Sequence, residues 1–410
     1  MDLGWRRSFL AMWGGQAFSL VGSSLVGFAL IWWLTDTTGS ATILALAAIA
    51  NMLPTVLLGP VAGALVDRWS RRWVLIVSDG LIATLTGMLA LLFWLGEVRV
   101  WHVLAILFAR SLGDAFQNPA VRASTSLMVP ADQLTRVAGM NAALQGAIRF
   151  VSPSMGALLL AALHIQGTLA IDVITAMLAI APLLVVSIPQ PKREVRPGRK
   201  PSVTREMAEG LRYVWGARGL FLLFGTATAA MFFLASPLSL VPLLVTRHFG
   251  GGALELGWMQ SAYGLGYILG GTALSLWGGL RRRIATSLLG TVGISAALIV
   301  LGSAPPDAFW LGVGAWFAFG LALPVATGPL HAIYQSAVPP EMQGRFFTLN
   351  RSVINVASPL GLAIGGPLAD AVGVRALFIV GGAATLVVAL VRAITPAIRA
   401  LDGEMDERAP

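Results

Sequence analysis

The chain has no cysteine among its 410 residues. Disulfides and thiolate metal sites are therefore excluded. Charge is scarce as well. Asp, Glu, Lys and Arg together make up 11% of the residues, whereas a soluble domain carries about 25%. So few charges cannot cover a water-facing surface. Lysine is nearly absent, present only as Lys192 and Lys200. Neither follows Gly or precedes Ser or Thr, so the chain has no Gly-x-x-x-x-Gly-Lys-Ser/Thr loop to cradle nucleotide phosphates. Work done by this chain must then come from an ion gradient or from the gradient of the substrate itself. The four histidines (His102, His164, His248 and His331) lie far apart, and none has a metal-ligand spacing. No Ser/His/Asp grouping is visible either. No metal or cofactor is expected, and a membrane enzyme, the rival class, lacks an acid–base pair.

What is present is apolar sequence: 56% of residues are hydrophobic and the mean hydropathy is +0.78. The apolar residues fall in runs of about 20, each long enough to cross a hydrocarbon core of about 30 Å as a helix. An outer-membrane barrel would show alternating segments of about ten residues instead. The expectation is an all-α membrane protein with twelve transmembrane helices. They are placed at 8–34, 42–66, 73–95, 100–120, 134–163, 167–188, 218–246, 254–279, 284–303, 308–328, 344–370 and 374–397. Arg6 and Arg7 ahead of the first run resemble the start of a secretory signal, but the run from Ser8 to Trp33 is too long for one and reads as the first span. The one long polar stretch carries Lys192, Arg193, Arg196, Arg199, Lys200, Arg205 and Arg212. It divides the chain into a six-helix half at 1–188, a basic linker at 189–217, a second six-helix half at 218–398 and a tail at 399–410.

The formal charge of +9 raises the question of nucleic acid, which the distribution of the charges answers. With the N-terminus in the cytoplasm, outer loops hold only Arg99, Arg247 and Arg375, and Arg110, Arg149 and Arg351 fall inside spans. All other Lys and Arg lie on the cytoplasmic side, as the positive-inside rule requires. Both termini are then cytoplasmic, in a cell (inner or plasma) membrane, with lipid rather than nucleic acid as the partner.

The two halves resemble each other. Asn118-Pro119, Val129-Pro130, Arg136 and Asn141 lead into the fifth span; Gly328-Pro329, Val338-Pro339, Arg345 and Asn350 lead into the eleventh in the same order. Repeats of this kind are the layout of secondary transporters, whose sites lie near midplane. Polar side chains inside spans are costly and so mark candidate sites. Arg110, Asp114, Gln117 and Asn118 recur on one face of the fourth span, with Arg110 and Asp114 spaced to pair. Asn141, Gln145, Arg149 and Ser152 form a stripe on the fifth, and Arg351, Asn355 and Ser358 one on the eleventh. Gln16, Ser19 and Ser23 do so on the first. Asp79, in the third span, is expected to pair with Arg110 or Asp114. Helix–helix hydrogen bonding draws on the same residue types, and for Ser, Asn and Gln alone it is the better reading.

The segment Gly63-Ala-Leu-Val-Asp67-Arg68-Trp-Ser-Arg71-Arg72 resembles the loop signature between the second and third spans of the major facilitator superfamily. It departs from that signature at Ser70, where Gly is usual. Gly63 would allow close packing, Asp67 would cap free N–H groups, and the arginines would reach nearby helix ends. In the second half, Arg281 to Arg283 remain but Ser275 stands in place of the acid. Over the whole chain, Arg110 with Gly113, Asn118-Pro119-Ala120, Val129-Pro130 and Asn141 are similar to the macrolide-efflux branch, with enterobactin-type exporters nearby. The resemblance implies a monomer with two six-helix halves that exports small amphipathic molecules, among them antibiotics, in exchange for protons by alternating access. The first, fourth, seventh and tenth spans would line the cavity, with Gln16, Arg110, Met231, Phe232 and Trp316 as wall candidates there; the polar stripes add Asn141, Gln145 and Arg149 on the fifth span and Arg351 and Asn355 on the eleventh. Asp114, and after it Asp79, are the candidates for the proton. Two rivals remain: a carrier of an organic anion or siderophore, and a lysolipid flippase of the same fold.

Overall fold

In lipid a backbone must satisfy its own hydrogen bonds, so long apolar segments become helices. The computed structural model shows that outcome. It describes residues 4–66, 68–189, 212 and 215–406; the side chains of residues 4, 60, 64, 340, 341, 344, 345, 348, 351, 355 and 402–406 are excepted. The elements are α1 (Gly4–Thr38), α2 (Ala41–Val66), α3 (Arg71–Leu95), α4 (Val100–Met128), α5 (Leu134–Val185), α6 (Arg218–Arg247), α7 (Ala253–Trp277), α8 (Arg283–Ser303), α9 (Phe309–Ala337), α10 (Pro340–Val372), α11 (Val374–Ile394) and α12 (Pro396–Asp406). No strand occurs among the described residues.

Nine helical segments among the described residues are long and apolar enough to cross a membrane. The expected count of twelve is not established by that measure, for three physical reasons. The glycines, the two tyrosines and Gln260 of α7 dilute its hydropathy. The polar face of α4 lowers its hydropathy. The spans expected at 134–163 and 167–188 are one helical element, α5, broken at His164 (φ 55, ψ −179). Contacts with α1 show what the break does. Trp13 bonds Asn141 and Gly156 abuts Phe28, so the first arm of α5 runs parallel to α1. Gly15 meets Ala179, and Gly22 meets Asp172, so the second arm runs antiparallel. One residue outside the helical region therefore folds α5 back on itself, where a loop of several residues was expected.

The chain divides into two compact units: Met1–Thr38, Leu46–Pro197 and Gly252–Gly257 in one, and Gly39–Ala45, Gly198–Gly251 and Trp258–Pro410 in the other. The division falls within the basic linker, most of which lies outside the described residues. The first turn of α2 groups with the second unit, where Asp370 holds it. That carboxylate accepts from the Ala41 N–H at 2.8 Å, the Thr42 N–H at 2.9 Å and the Thr42 hydroxyl at 2.7 Å. It caps donors that a helix start leaves open.

The second unit packs by direct backbone contact. A Cβ added at Gly266 would lie 2.2 Å from the Phe317 carbonyl oxygen, and one at Gly290 would lie 2.2 Å from the Ala326 nitrogen. Small residues thus seat α7 and α8 against α9. Gly63 has no such role. A Cβ there would meet nothing within 4 Å, which corrects the expectation that it permits close packing.

Candidate functional site

Two buried carboxylates organise the first unit, and they are held in opposite ways. Asp79 on α3 is 0% exposed. It accepts hydrogen bonds from Gln16 at 2.7 Å, Ser19 at 3.2 Å and Gln117 at 2.6 Å. The Gln117 amide also donates to Gln16 at 3.1 Å. The network joins α1, α3 and α4 through neutral donors alone. No cation lies within ion-pair distance of Asp79 among the described residues. The expected partners, Arg110 and Asp114, are not its partners.

Asp172, in the second arm of α5, is also fully buried, but it carries a counter-charge. Arg110 lies 2.6 Å away as an ion pair. Ser23 donates to Asp172 at 3.1 Å and Thr86 at 3.0 Å. Arg110 donates in turn to Ser23 at 3.1 Å and to Thr86. The expected pair of Arg110 with Asp114 is thereby corrected. Side chains on a helix lean toward its N-terminus, so Arg110 leans away from Asp114, four residues further on. An acid four residues before the base would have suited the pair; the reverse order does not. Sequence reasoning missed Asp172, although a lone acid in the apolar run 167–188 was itself a signal.

The other candidates separate by exposure. Asn141, Gln145 and Arg149 share an exposed face of α5, whereas Ser152, expected on the same stripe, is buried. Gln16 is 4% exposed and is bound into the Asp79 network, so it is no open wall. Trp316 is 1% exposed, donates to Gln260 at 3.2 Å and stacks on Phe319 at 4.6 Å. It is core rather than cavity lining. Met231 and Phe232 are half-buried on α6. Asp114 is half-buried and has no hydrogen bond or ion pair of its carboxylate among the described residues. The side chains of Arg351 and Asn355 lie outside the described residues, as does Asp67. Of the basic cluster, Arg68 is exposed and Arg71 buried, and Arg72 donates to the Leu184 carbonyl at the end of α5.

Residues 5–409 match the family model described as transmembrane secretion effector. The chain belongs to this family. It is 35% identical over 400 residues to macrolide efflux protein A of Streptococcus pyogenes, covering 97% of this chain and 98% of that one. It is 30% identical over 402 residues to the multidrug efflux pump Tap of Mycolicibacterium fortuitum, covering 93% and 94%. Among solved structures, it resembles a bacterial homologue of the lysosomal transporter Spinster with a TM-score of 0.72 at 12% identity, over 99% of this chain and 98% of that one. It also resembles a bacterial homologue of ferroportin with a TM-score of 0.69 at 16% identity, over 94% and 97%. Those two likenesses speak for the fold alone. This family member is a multi-pass membrane protein with the major facilitator fold, an efflux transporter of the macrolide-efflux branch.

Proposed function

We propose that the chain exports lipophilic or amphipathic drugs such as macrolides in exchange for protons, as a monomer in the plasma membrane with both termini cytoplasmic. The names of the relatives at 35% and 30% identity support the substrate class. The bias of Arg and Lys toward one set of loops supports the orientation.

The observation that carries the coupling is Asp79, fully buried and bound only by neutral donors. A buried carboxylate without a counter-charge is unstable as an anion and relieves that by taking up a proton. Protonation removes the negative charge and makes one oxygen a donor and a poorer acceptor, so the bonds from Gln16, Ser19 and Gln117 weaken. Those bonds tie α1 and α4 to α3, and the resemblance assigns α1 and α4 to the cavity wall. Proton uptake at Asp79 would thereby loosen the helices against which a substrate sits. Asp114 is the second candidate, being half-buried with no bonded partner of its own among the described residues.

The test is transport of a macrolide and of a fluorescent dye in proteoliposomes under an imposed pH gradient. Wild type is expected to move both. Asp79→Asn is expected to lose gradient-driven movement while keeping exchange of labelled for unlabelled substrate. Full gradient-driven transport by Asp79→Asn would remove Asp79 from the mechanism, and no exchange of either compound by wild type would remove the substrate class.

A further inference from the structure

The second unit contains a cavity of about 290 Å³ enclosed by α6, α8, α9, α10 and α11. Its walls are mostly aliphatic, as at Leu234 and Ile294, but Arg392, Tyr334 and Asn350 also line it. Arg392 is 2% exposed. An arginine in the last turn of a membrane helix ordinarily extends its head toward water. This one turns inward. Its Nε donates to Thr226 at 2.9 Å and its Nη1 to Thr291 at 3.5 Å. Both partners are neutral hydroxyls. Helices α6, α8, α9 and α11 contain no Asp or Glu, and no carboxylate pairs with Arg392 among the described residues.

Two further groups in the walls are incomplete. The Tyr334 hydroxyl and the Asn350 side-chain oxygen are buried with no hydrogen-bond partner among the described residues. Tyr334 is 2% and Asn350 7% exposed. Each such group carries a desolvation penalty that an acceptor or donor entering the cavity would relieve. A phenol donates, and a primary amide turns either its donor or its acceptor inward by a half-turn. A buried carboxylate can neutralise itself by protonation, but a guanidinium keeps its charge at any physiological pH. The carbonyls that end α11 offset only part of that charge. A buried cation with two unsatisfied polar groups in one cavity lacks an anion. His331, exposed at the rim, marks where one would enter.

We propose that this cavity binds the anionic oxygen group of a small amphipathic molecule, a carboxylate on a short apolar body. Arg392 supplies the charge, the Tyr334 hydroxyl a hydrogen bond, and the aliphatic walls the contact with the apolar part. The site lies within one unit and does not depend on the drug-export reading, since binding is measured without transport.

The test is a thermal shift of the full chain in a nonionic detergent, titrated with benzoate and, separately, with benzyl alcohol, a neutral analogue of similar size. Wild type is expected to show saturable stabilisation by benzoate and none by the alcohol. Arg392→Gln is expected to abolish the benzoate effect. Tyr334→Phe removes an unbonded hydroxyl, so it should fold at least as well as wild type while weakening benzoate about tenfold. Arg392→Lys keeps the charge and should retain partial binding, which covers the case in which the Gln variant does not fold. A parallel titration in nanodiscs with and without phosphatidylglycerol separates the two sources of such a group. Loss of the benzoate effect with the anionic lipid assigns the site to a headgroup, and persistence assigns it to a soluble anion. Equal stabilisation by benzoate and benzyl alcohol, or benzoate binding unchanged in both Tyr334→Phe and Arg392→Lys, would overturn the proposal.

Discussion

The two compact units carry similar ordered sequence motifs yet bury opposite unpaired charge. Arg71 and Arg72 open α3, and Arg283 opens α8. Two turns along α3 stands Asp79, held by amides and a hydroxyl. Two turns along α8 stands Thr291, one of the hydroxyls that hold Arg392. Asn141 and Asn350 occupy matching places in the repeat. Asn141 is exposed and accepts from Trp13 at 2.7 Å, whereas Asn350 is buried with its oxygen unbonded. Repeated sequence motifs therefore do not impose repeated chemistry. The half with the bare carboxylate can settle its charge with a proton; the half with the bare guanidinium requires a molecule.

The first half also contains its own control. Asp172 is as buried as Asp79 but has Arg110 at 2.6 Å. The largest expected effect on stability follows from breaking that pair. Asp172→Leu leaves Arg110 buried and uncompensated, and should destabilise the protein by about 3–5 kcal/mol. Replacing both, as Asp172→Leu with Arg110→Met, should recover most of the loss, because two apolar groups of similar volume need no counter-charge. Thermal unfolding in detergent reads both, and an equally unstable double variant would show that the pair does more than balance charge.

Backbone contact in the second half comes next. Gly290→Ala would place a methyl 2.2 Å from the Ala326 nitrogen, where the backbone has to move, and should lose about 1–3 kcal/mol. Asp79→Asn should be milder. It forfeits one acceptor among neutral partners, about 1 kcal/mol, so its unfolding temperature should fall far less than that of Asp172→Leu. A comparable fall would mean that Asp79 is a structural anion like Asp172. Smallest of all is Gly63→Ala. With open space around that position, its stability should stay within about 0.5 kcal/mol of wild type. A larger loss would restore the packing role first expected of Gly63.

Much of the architecture was legible because hydropathy and helix length are properties of the chain itself. The all-helical membrane fold could be read from run lengths. The break between 134–163 and 167–188 was also legible, but not that His164 alone makes the turn, since a single residue outside the helical region leaves no trace in hydropathy. In the candidate site, polarity inside a span identified Arg110, Asp79 and Gln16, but not who pairs with whom. Pairing depends on the direction in which a side chain leans and on which helix lies opposite. Arg110 and Asp114 illustrate the first, being correctly spaced but in the wrong order. Asp172 and Arg392 illustrate the second. Asp172 is a lone charge in its apolar span, whereas Arg392 shares its span with Arg375 at the other end and was counted among the cytoplasmic charges because it sits near a helix end. Burial by neighbouring helices, not position along the chain, turned it inward.

The central claim is that Asp79, which has no counter-charge, is the carboxylate that changes protonation. The most direct measurement is proton exchange with weakly buffered, detergent-solubilised protein as a macrolide is added. Wild type should release or take up protons in step with binding, Asp79→Asn should bind the macrolide with no proton exchanged, and Asp114→Asn should behave as wild type. Undiminished proton exchange in Asp79→Asn would contradict the account and pass the role to another carboxylate, with Asp114 the first to examine.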